Sequence, residues 1–297
     1  METKTSFKKV TASKKVQGDS VRKFGKPRKK RILLATTALL ISMGLYSLIE
    51  PFWIEQKVYV INHPDIPASF DNARIVFLAD IHHGRFFSRS RIRKVVDLTN
   101  KLNPQLILLG GDYVEGSPDY IEGCFEELGN LSAELGVYGV LGNHDHWQGA
   151  DKTRETMAKQ GILSIDNNAF WVQKDGQRIR VGGVGDYCED VQRLEITTDK
   201  TLESDFVLLV SHSPDYALDI TGDKVDLLLS GHTHGGQVTF FGLYAPKVPS
   251  RYGQRFRTGE KMVNSIQVII SNGIGTVLLP IRFFARPQMV IIQLEAS

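Results

Sequence analysis

Gly231-His232-Thr233-His234-Gly235-Gly236 sets two imidazoles two residues apart among glycines, directly after Val225-Asp226-Leu227-Leu228-Leu229-Ser230. The apolar run reads as a buried strand. If strand geometry continued, side chains at i and i+2 would point to one side. The glycines let the backbone leave the strand sharply and leave room around the rings. Neutral imidazoles held this way suit a divalent metal. A lone His-x-His also arises by chance and in cores, so the reading needs partners elsewhere in the chain. Asp80 with His82, Asp112, Asn143 with His144, and His212 each follow an apolar run too. Seven of the eight histidines (82, 83, 144, 146, 212, 232 and 234) fall in these tips, and His63 lies apart. Carboxylate, amide and imidazole together suit a hard-to-borderline divalent ion. They exceed what one tetrahedral ion needs, and a binuclear site is the economical explanation.

Such side chains need rigid elements behind them. Residues 73–79 read as a strand ending at Asp80, 105–111 as one ending at Asp112, and 137–142 as one ending at Asn143-His144-Asp145. Helices are expected over 88–102, capped by Ser88 or Ser90, over 120–135, and over 151–160. Strand, polar tip and helix repeat three times, the α/β pattern with sites at strand carboxyl ends. After Gly161 come short strands over 169–173 and 178–185, joined by Lys174-Asp175-Gly176-Gln177 as a hairpin turn. Residues 206–210 form a strand ending at Ser211-His212, 238–262 a long loop, and 266–271 and 289–294 two late strands.

Composition sets the outer limits. The 297 residues are 42% hydrophobic and 23% charged, ordinary for a globular chain with a sizeable core. Residues 1–31 hold 12 Lys/Arg against Glu2 and Asp19, while the remainder holds 24 Lys/Arg against 31 Asp/Glu. The acidic balance after residue 31 argues against a nucleic-acid-binding surface. Cys124 and Cys188 lack zinc or redox spacing. Four segments result: a basic disordered tail (1–31), an apolar anchor (32–49), a proline-limited connector (50–72) and a catalytic domain (73–297). The anchor has 18 uncharged residues, just enough to span a bilayer, with Tyr46, Phe52 and Trp53 for the far interface. It lacks a clear small-x-small cleavage site, which favours an uncleaved single-pass anchor over a removed signal peptide. The basic flank predicts a cytoplasmic tail with the domain outside; a segment lying on the membrane surface leaves the domain inside.

Asp80-Ile81-His82, Gly111-Asp112, Gly142-Asn143-His144-Asp145, His212 and Gly231-His232-Thr233-His234 resemble, in order, the five blocks of the calcineurin-like metallophosphoesterases. Glu50-Pro51, Gly235-Gly236-Gln237-Val238 and the tail Gly273-Ile274-Gly275-Thr276…Pro280-Ile281-Arg282-Phe283…Arg286-Pro287 resemble the membrane-associated YkuE/YaeI/LpxG-like branch. The resemblance implies a four-layer αββα sandwich preceded by a transmembrane helix. It implies that Asp80, His82 and His234 hold one ion, that Asn143, His212 and His232 hold the other, and that Asp112 bridges them. A shared carboxylate offsets repulsion between two dications, and an amide oxygen adds a ligand without charge. The ions are Mn²⁺ foremost, with Fe or Zn²⁺ also suited. A bridging hydroxide is then expected to attack phosphorus in line with the leaving group. His144 is expected to stabilise developing charge or protonate the leaving oxygen, with Asp145 orienting it through its other nitrogen.

Several residues admit two readings. His83 and His146 are extra imidazoles, either solvent-facing and supporting or in contact with substrate phosphate. Arg85 faces a phosphate or an acidic side chain. Asp186 is a turn or supporting residue, and Arg282 and Arg286 brace the C-terminal strands. Trp147, Phe240, Phe241 and Tyr244 line an apolar approach or tuck against the core. The leading function is a membrane-anchored hydrolase of a phosphoester or pyrophosphate bond. The LpxG-like resemblance implies UDP-2,3-diacylglucosamine, in lipid A synthesis, as a lipid-linked nucleotide substrate. A generic phosphomonoester or phosphodiester is the alternative, and a non-catalytic membrane scaffold with this fold is the reading from another class.

Overall fold

The computed structural model describes residues 2–3 and 26–297. Most of the expected disordered tail therefore lies outside the described residues. The described residues divide into two compact units, one that ends at Met43 and one formed by Gly44–Ser297. Helix α1 (Lys26–Ile49) carries the apolar run. It begins before the expected boundary, so residues 26–31 are helical. Lys and Arg favour helix, and Pro27 falls in the first turn, where its missing N–H is no loss. The stretch Arg28–Phe52 is long and apolar enough to cross a membrane.

The expected connector over 50–72 is instead built into the domain. It contains β1 (Glu55–His63), which pairs in parallel with β12 (Gln288–Ala296) from Glu55 beside Gln288 to His63 beside Ala296. Pro51, Pro64 and Pro67 flank this edge strand and so limit its length without excluding it.

The first sheet has the order β1-β12-β2-β3-β4-β5, with β2 (Arg74–Leu78), β3 (Leu106–Leu109), β4 (Val137–Gly139) and β5 (Leu163–Ser164) mutually parallel. The second has the order β10-β11-β9-β8-β7-β6. Its β6 (Asn168–Lys174) and β7 (Gln177–Gly183) form the expected hairpin. Its middle strands β7, β8 (Val207–Val210), β9 (Leu227–Ser230) and β11 (Ile266–Ile270) are parallel. The edge strand β10 (Gly259–Val263) lies inside the expected loop over 238–262.

Period-two burial explains the layering. Ile75 and Phe77 of β2 face the second sheet and share a core with Leu208, Val210, Leu227 and Leu229. Val76 and Leu78 face the other way, onto α2 (Arg89–Asn100) and α3 (Tyr120–Leu128) through Val95, Val96 and Phe125. Each such buried side chain contributes about 1.5–3 kcal/mol. The outer face of the second sheet has only thin cover. The short α5 (Glu195–Thr198), the turn at Pro214–Leu218 and Phe256 stand where a full helical layer was expected.

Two helix boundaries differ from expectation, the end of α3, at Leu128 rather than 135, and the start of α4. Ser88 takes the expected N-cap position of α2, but its side chain makes no capping bond and its Oγ lies 2.9 Å from Ser90 Oγ instead. Helix α4 (Asn143–Lys159) starts at the third tip rather than near residue 151, because the Asp145 carboxylate accepts the Gly142 N–H and stabilises the first turn. Gly149, at φ 130°, breaks it close to the expected start.

Candidate metal centre

Backbone bonds knit the strand tips together. The Asp80 N–H donates to Gly111 O at 2.9 Å, the His82 N–H to Asp112 O at 3.0 Å, and the Gly231 N–H to His212 O at 3.0 Å. Five expected ligands have left-handed backbones: Asp80 (φ 55°), His82 (48°), Asp112 (56°), His232 (68°) and His234 (53°). This conformation costs a residue with a Cβ roughly 1–2 kcal/mol. Its concentration here marks a site whose side-chain directions are imposed by the surrounding fold. Glycines make the necessary room. A Cβ on Gly142 would stand 2.3 Å from Asp112 Oδ1, and one on Gly231 would stand 2.4 Å from Asp80 Oδ2.

The side chains converge in two groups. Asp80, His82 and His234 form one, with His82 Nε2 3.1 Å from His234 Nε2 and Asp80 Oδ1 3.5 Å from His234 Nε2. Asp112, His212 and His232 form the other, with His212 Nε2 3.2 Å from His232 Nδ1. Asp112 Oδ2 reaches both, at 3.6 Å from His82 Nε2 and 3.2 Å from His212 Nε2. Asp80 is fixed by the His232 N–H, which donates to Oδ1 at 3.0 Å and Oδ2 at 3.1 Å. His212 Nδ1 donates to Gly110 O at 2.7 Å, so its Nε2 is the atom aimed inward.

Divalent ions fit these residues. Asn143 Oδ1 is buried with no hydrogen-bond partner among the described residues, an orphan acceptor on a residue that lines the same cleft as Asp112 and His232. Burial and the charge of His212 push His232 down to about 3. Burial, with His82 and Arg282 nearby, holds His234 well below its ordinary value. Both imidazoles are therefore neutral and present lone pairs. His212 differs: burial favours its neutral form, but Asp112, with Asp80 and Asp186, outweighs burial and holds its pKa well above the ordinary value. A cation held there would have to displace that proton.

His144 stands beside this pair, its ring 4.8 Å from that of His82. Its partner is not Asp145. Asp145 Oδ2 accepts the N–H groups of Asp112 (2.7 Å) and Gly142 (3.0 Å), and Oδ1 accepts that of Tyr113 (2.9 Å). It therefore locks the second tip to the third. Burial and the neighbouring Asp112 charge push Asp145 up to about 7. The group on His144 is Glu115, whose Oε2 lies 2.6 Å from His144 Nδ1 and 3.3 Å from His82 Nδ1. Burial alone would raise Glu115, but those two imidazoles outweigh it and bring its pKa to about 2. An acid three residues beyond Asp112 was the only sequence signal for it.

The three expected substrate residues separate. His83 is buried, with Nδ1 donating to Phe87 O at 2.7 Å and its ring 5.1 Å from Tyr120, so it supports the tip. His146 turns to the Asp166 and Asp190 carboxylates. Arg85 lines a cavity of about 250 Å³ that also touches His82 and Glu115. Asp186 is a turn residue, accepting the Cys188 and Glu189 N–H groups. Arg282 is fully buried and donates to Asn272, Ala285 and His234 carbonyls, the expected brace. A larger cleft of about 630 Å³ opens over Asp112, Asn143, His144, His232 and His234. Its walls are mostly apolar, from Trp147, Val238, Pro246, Val277 and Leu278, with Lys247 the cation among them.

Residues 73–236, which contain all five tips, match the calcineurin-like phosphoesterase family. The chain belongs to that family. This calcineurin-like phosphoesterase is a hydrolase of phosphoesters, and its family works with a dimetal centre. It is similar to the metallophosphoesterase YkuE of Bacillus subtilis (strain 168), at 29% identity over 258 residues, 86% of this chain and 90% of the relative. Phosphodiesterase YaeI of Escherichia coli (strain K12) is 29% identical over 276 residues, 90% and 98% of the two chains. A transmembrane protein with metallophosphoesterase domain from Danio rerio is 27% identical over 288 residues, 92% of this chain and 64% of its own.

Proposed function

We propose that this phosphoesterase, held by α1 as a single-pass anchor, hydrolyses a phosphoester or pyrophosphate bond in an amphipathic, lipid-linked substrate. The observation that carries the reading is the two-sided cleft, with candidate metal ligands on its floor and apolar side chains on its walls. When bound, two divalent ions, Mn²⁺ foremost, supply Lewis acidity to a phosphoryl oxygen and acidify a water. Asp80, His82 and His234 would hold one, and Asn143, His212 and His232 the other, with Asp112 shared by both. Glu115 orients His144 through Nδ1 and keeps its proton available. His144 Nε2 then serves the leaving oxygen as general acid. Lys247 supplies a positive charge to the substrate phosphate from the cleft wall. Asp145 acts on none of these groups directly; it holds the Asp112 tip in register.

UDP-2,3-diacylglucosamine combines a pyrophosphate with two acyl chains and matches both sides of the cleft. The test is UMP release from that molecule in detergent micelles with Mn²⁺, compared with a chromogenic phosphodiester. UMP release with little diester turnover is the expected outcome; brisk diester turnover without UMP release removes the lipid-linked reading. That second result is what the resemblance to a protein named phosphodiesterase YaeI favours, and it would leave a generic phosphodiesterase. A reporter fused after Ser297 fixes the side of the membrane: the basic flank of α1 predicts the outside, and a cytoplasmic nucleotide sugar requires the inside.

A further inference from the structure

Four segments of the unit formed by residues 44–297 are bound into one surface. The Arg282 N–H donates to Ser47 O at 3.0 Å, and the Glu50 carboxylate accepts the N–H groups of Phe284 and Ala285 at 2.7 Å each. The Thr239 N–H donates to Phe283 O at 2.9 Å, and Gln237 Nε2 donates to Val277 O at 3.0 Å. Arg91 joins the last piece, donating to Pro51 O at 2.6 Å and Phe86 O at 3.0 Å. The entry segment 44–53, the loops 237–244 and 277–286, and the Phe86 tip therefore share a face.

That face is apolar and uncovered. Leu243 is 85% exposed, Leu278 73% and Phe241 63%, and Phe240, Leu279 and Tyr244 are also exposed. An exposed collection of this size marks a docking surface rather than the scattered apolar residues of an ordinary exterior. Its border is made of arginines laid on aromatic rings. Arg286 lies 4.4 Å from the centre of Trp53, Arg91 4.3 Å from that of Phe52, and Arg85 5.3 Å from that of Phe86. Aromatic rings with long basic side chains suit the headgroup layer, where one end is apolar and the other wet.

We infer that this face docks on a lipid bilayer, inserting Phe241, Leu243 and Leu279 below the headgroups. The choice of a bilayer over a protein comes from the chain itself. Its entry segment continues directly from a helix long and apolar enough to span a membrane. Tyr46 of that segment packs edge-on against Phe283 and tilted against Phe284, at 5.7 and 5.3 Å between ring centres. The face and the span's end are thus one continuous structure. Val277 and Leu278 belong both to the face and to the cleft wall, so the cleft opens at the membrane and an amphipathic substrate enters without crossing water. The inference rests on α1 being an anchor, the reading given above.

The test uses the full chain with Cys188→Ser, reconstituted in vesicles of phosphatidylethanolamine and phosphatidylglycerol. Single nitroxides are placed through Phe241→Cys, Leu243→Cys or Leu279→Cys, with Met262→Cys as the control on an exposed strand edge. Co-flotation with vesicles reads the anchor by itself. The expected result is preferential collision of the 241, 243 and 279 probes with oxygen, and of the 262 probe with a water-soluble nickel complex. Flotation with all probes equally open to nickel overturns docking while leaving the anchor standing. Probes at 241, 243 and 279 shielded from both reagents show a protein partner and also overturn it. Failure to float overturns both readings.

Discussion

The tips of the first sheet and those of the second meet in one site but contribute opposite things. Asp80, Asp112, Glu115 and Asp145 put four carboxylates at the first, together with His82, Asn143 and His144 with its proton. The second supplies imidazoles alone, and burial keeps His232 and His234 neutral. On the proposed ligand assignment, the first half would carry the charge that retains cations, and the second would complete their coordination. A site split this way binds metal only when the sheets are packed, because neither half has both charge and enough ligands.

The most damaging test of that division is Asp112→Ala. The one carboxylate that reaches both groups is lost, so metal content measured by mass spectrometry is expected to fall from two ions to none. Turnover is expected to drop by more than the ~10²–10⁴-fold assigned to a general acid. Retention of both ions would show that the second half holds cations by itself. Next come His232→Gln and His234→Gln. Each is expected to weaken a different ion, leaving about one per chain, since Thr233 lies between two side chains that point into separate groups. Equal loss of both ions from either change would mean that the two groups are one.

The smallest effect is the most specific. Burial pushes His144 toward its neutral form, but the Glu115 and Asp112 carboxylates outweigh it and raise its pKa above the ordinary value. The protonated form thus persists to higher pH than in an ordinary imidazole, and turnover that needs this proton is lost as pH rises through the raised value. Glu115→Gln removes one of those carboxylates, so the alkaline limb of kcat should move to lower pH. The accompanying loss at pH 8 is about 10–100-fold, as for other orienting partners, with metal content unchanged. A limb that stays in place would mean that Glu115 only packs against the ring.

Much of this site was legible in the chain because each tip is local. An apolar strand ends, in four of the five tips a glycine or a left-handed residue follows, and a metal-type side chain stands within four positions of the strand end. Where the sequence reading failed, the missing information was direction. Asp145 and Glu115 are both acids beside expected ligands, and nothing local says which one faces His144. The first turn of α4 aims Asp145 back at three N–H groups, while the loop after Asp112 delivers Glu115 to the imidazole. His82 and His83 are neighbours with opposite fates for the same reason: one ring joins the ligand groups, and the next is buried against Tyr120.

Non-local pairing accounts for the rest. β1 looked like a connector because the strand it pairs with is β12, at the far end of the chain. Glu50 gained its purpose only when the C-terminal loop returned to it. The sequence by itself determined which chemical groups are present, their order, and that most of them cap parallel strands, because strand periodicity and tip residues are written within a few positions. Only the tertiary structure decided how ligands from two sheets divide into two groups and which carboxylate supports the acid. It alone also gathered the apolar loops around the end of α1. Those outcomes depend on side-chain direction and on contacts between residues tens to hundreds of positions apart, which no local pattern records.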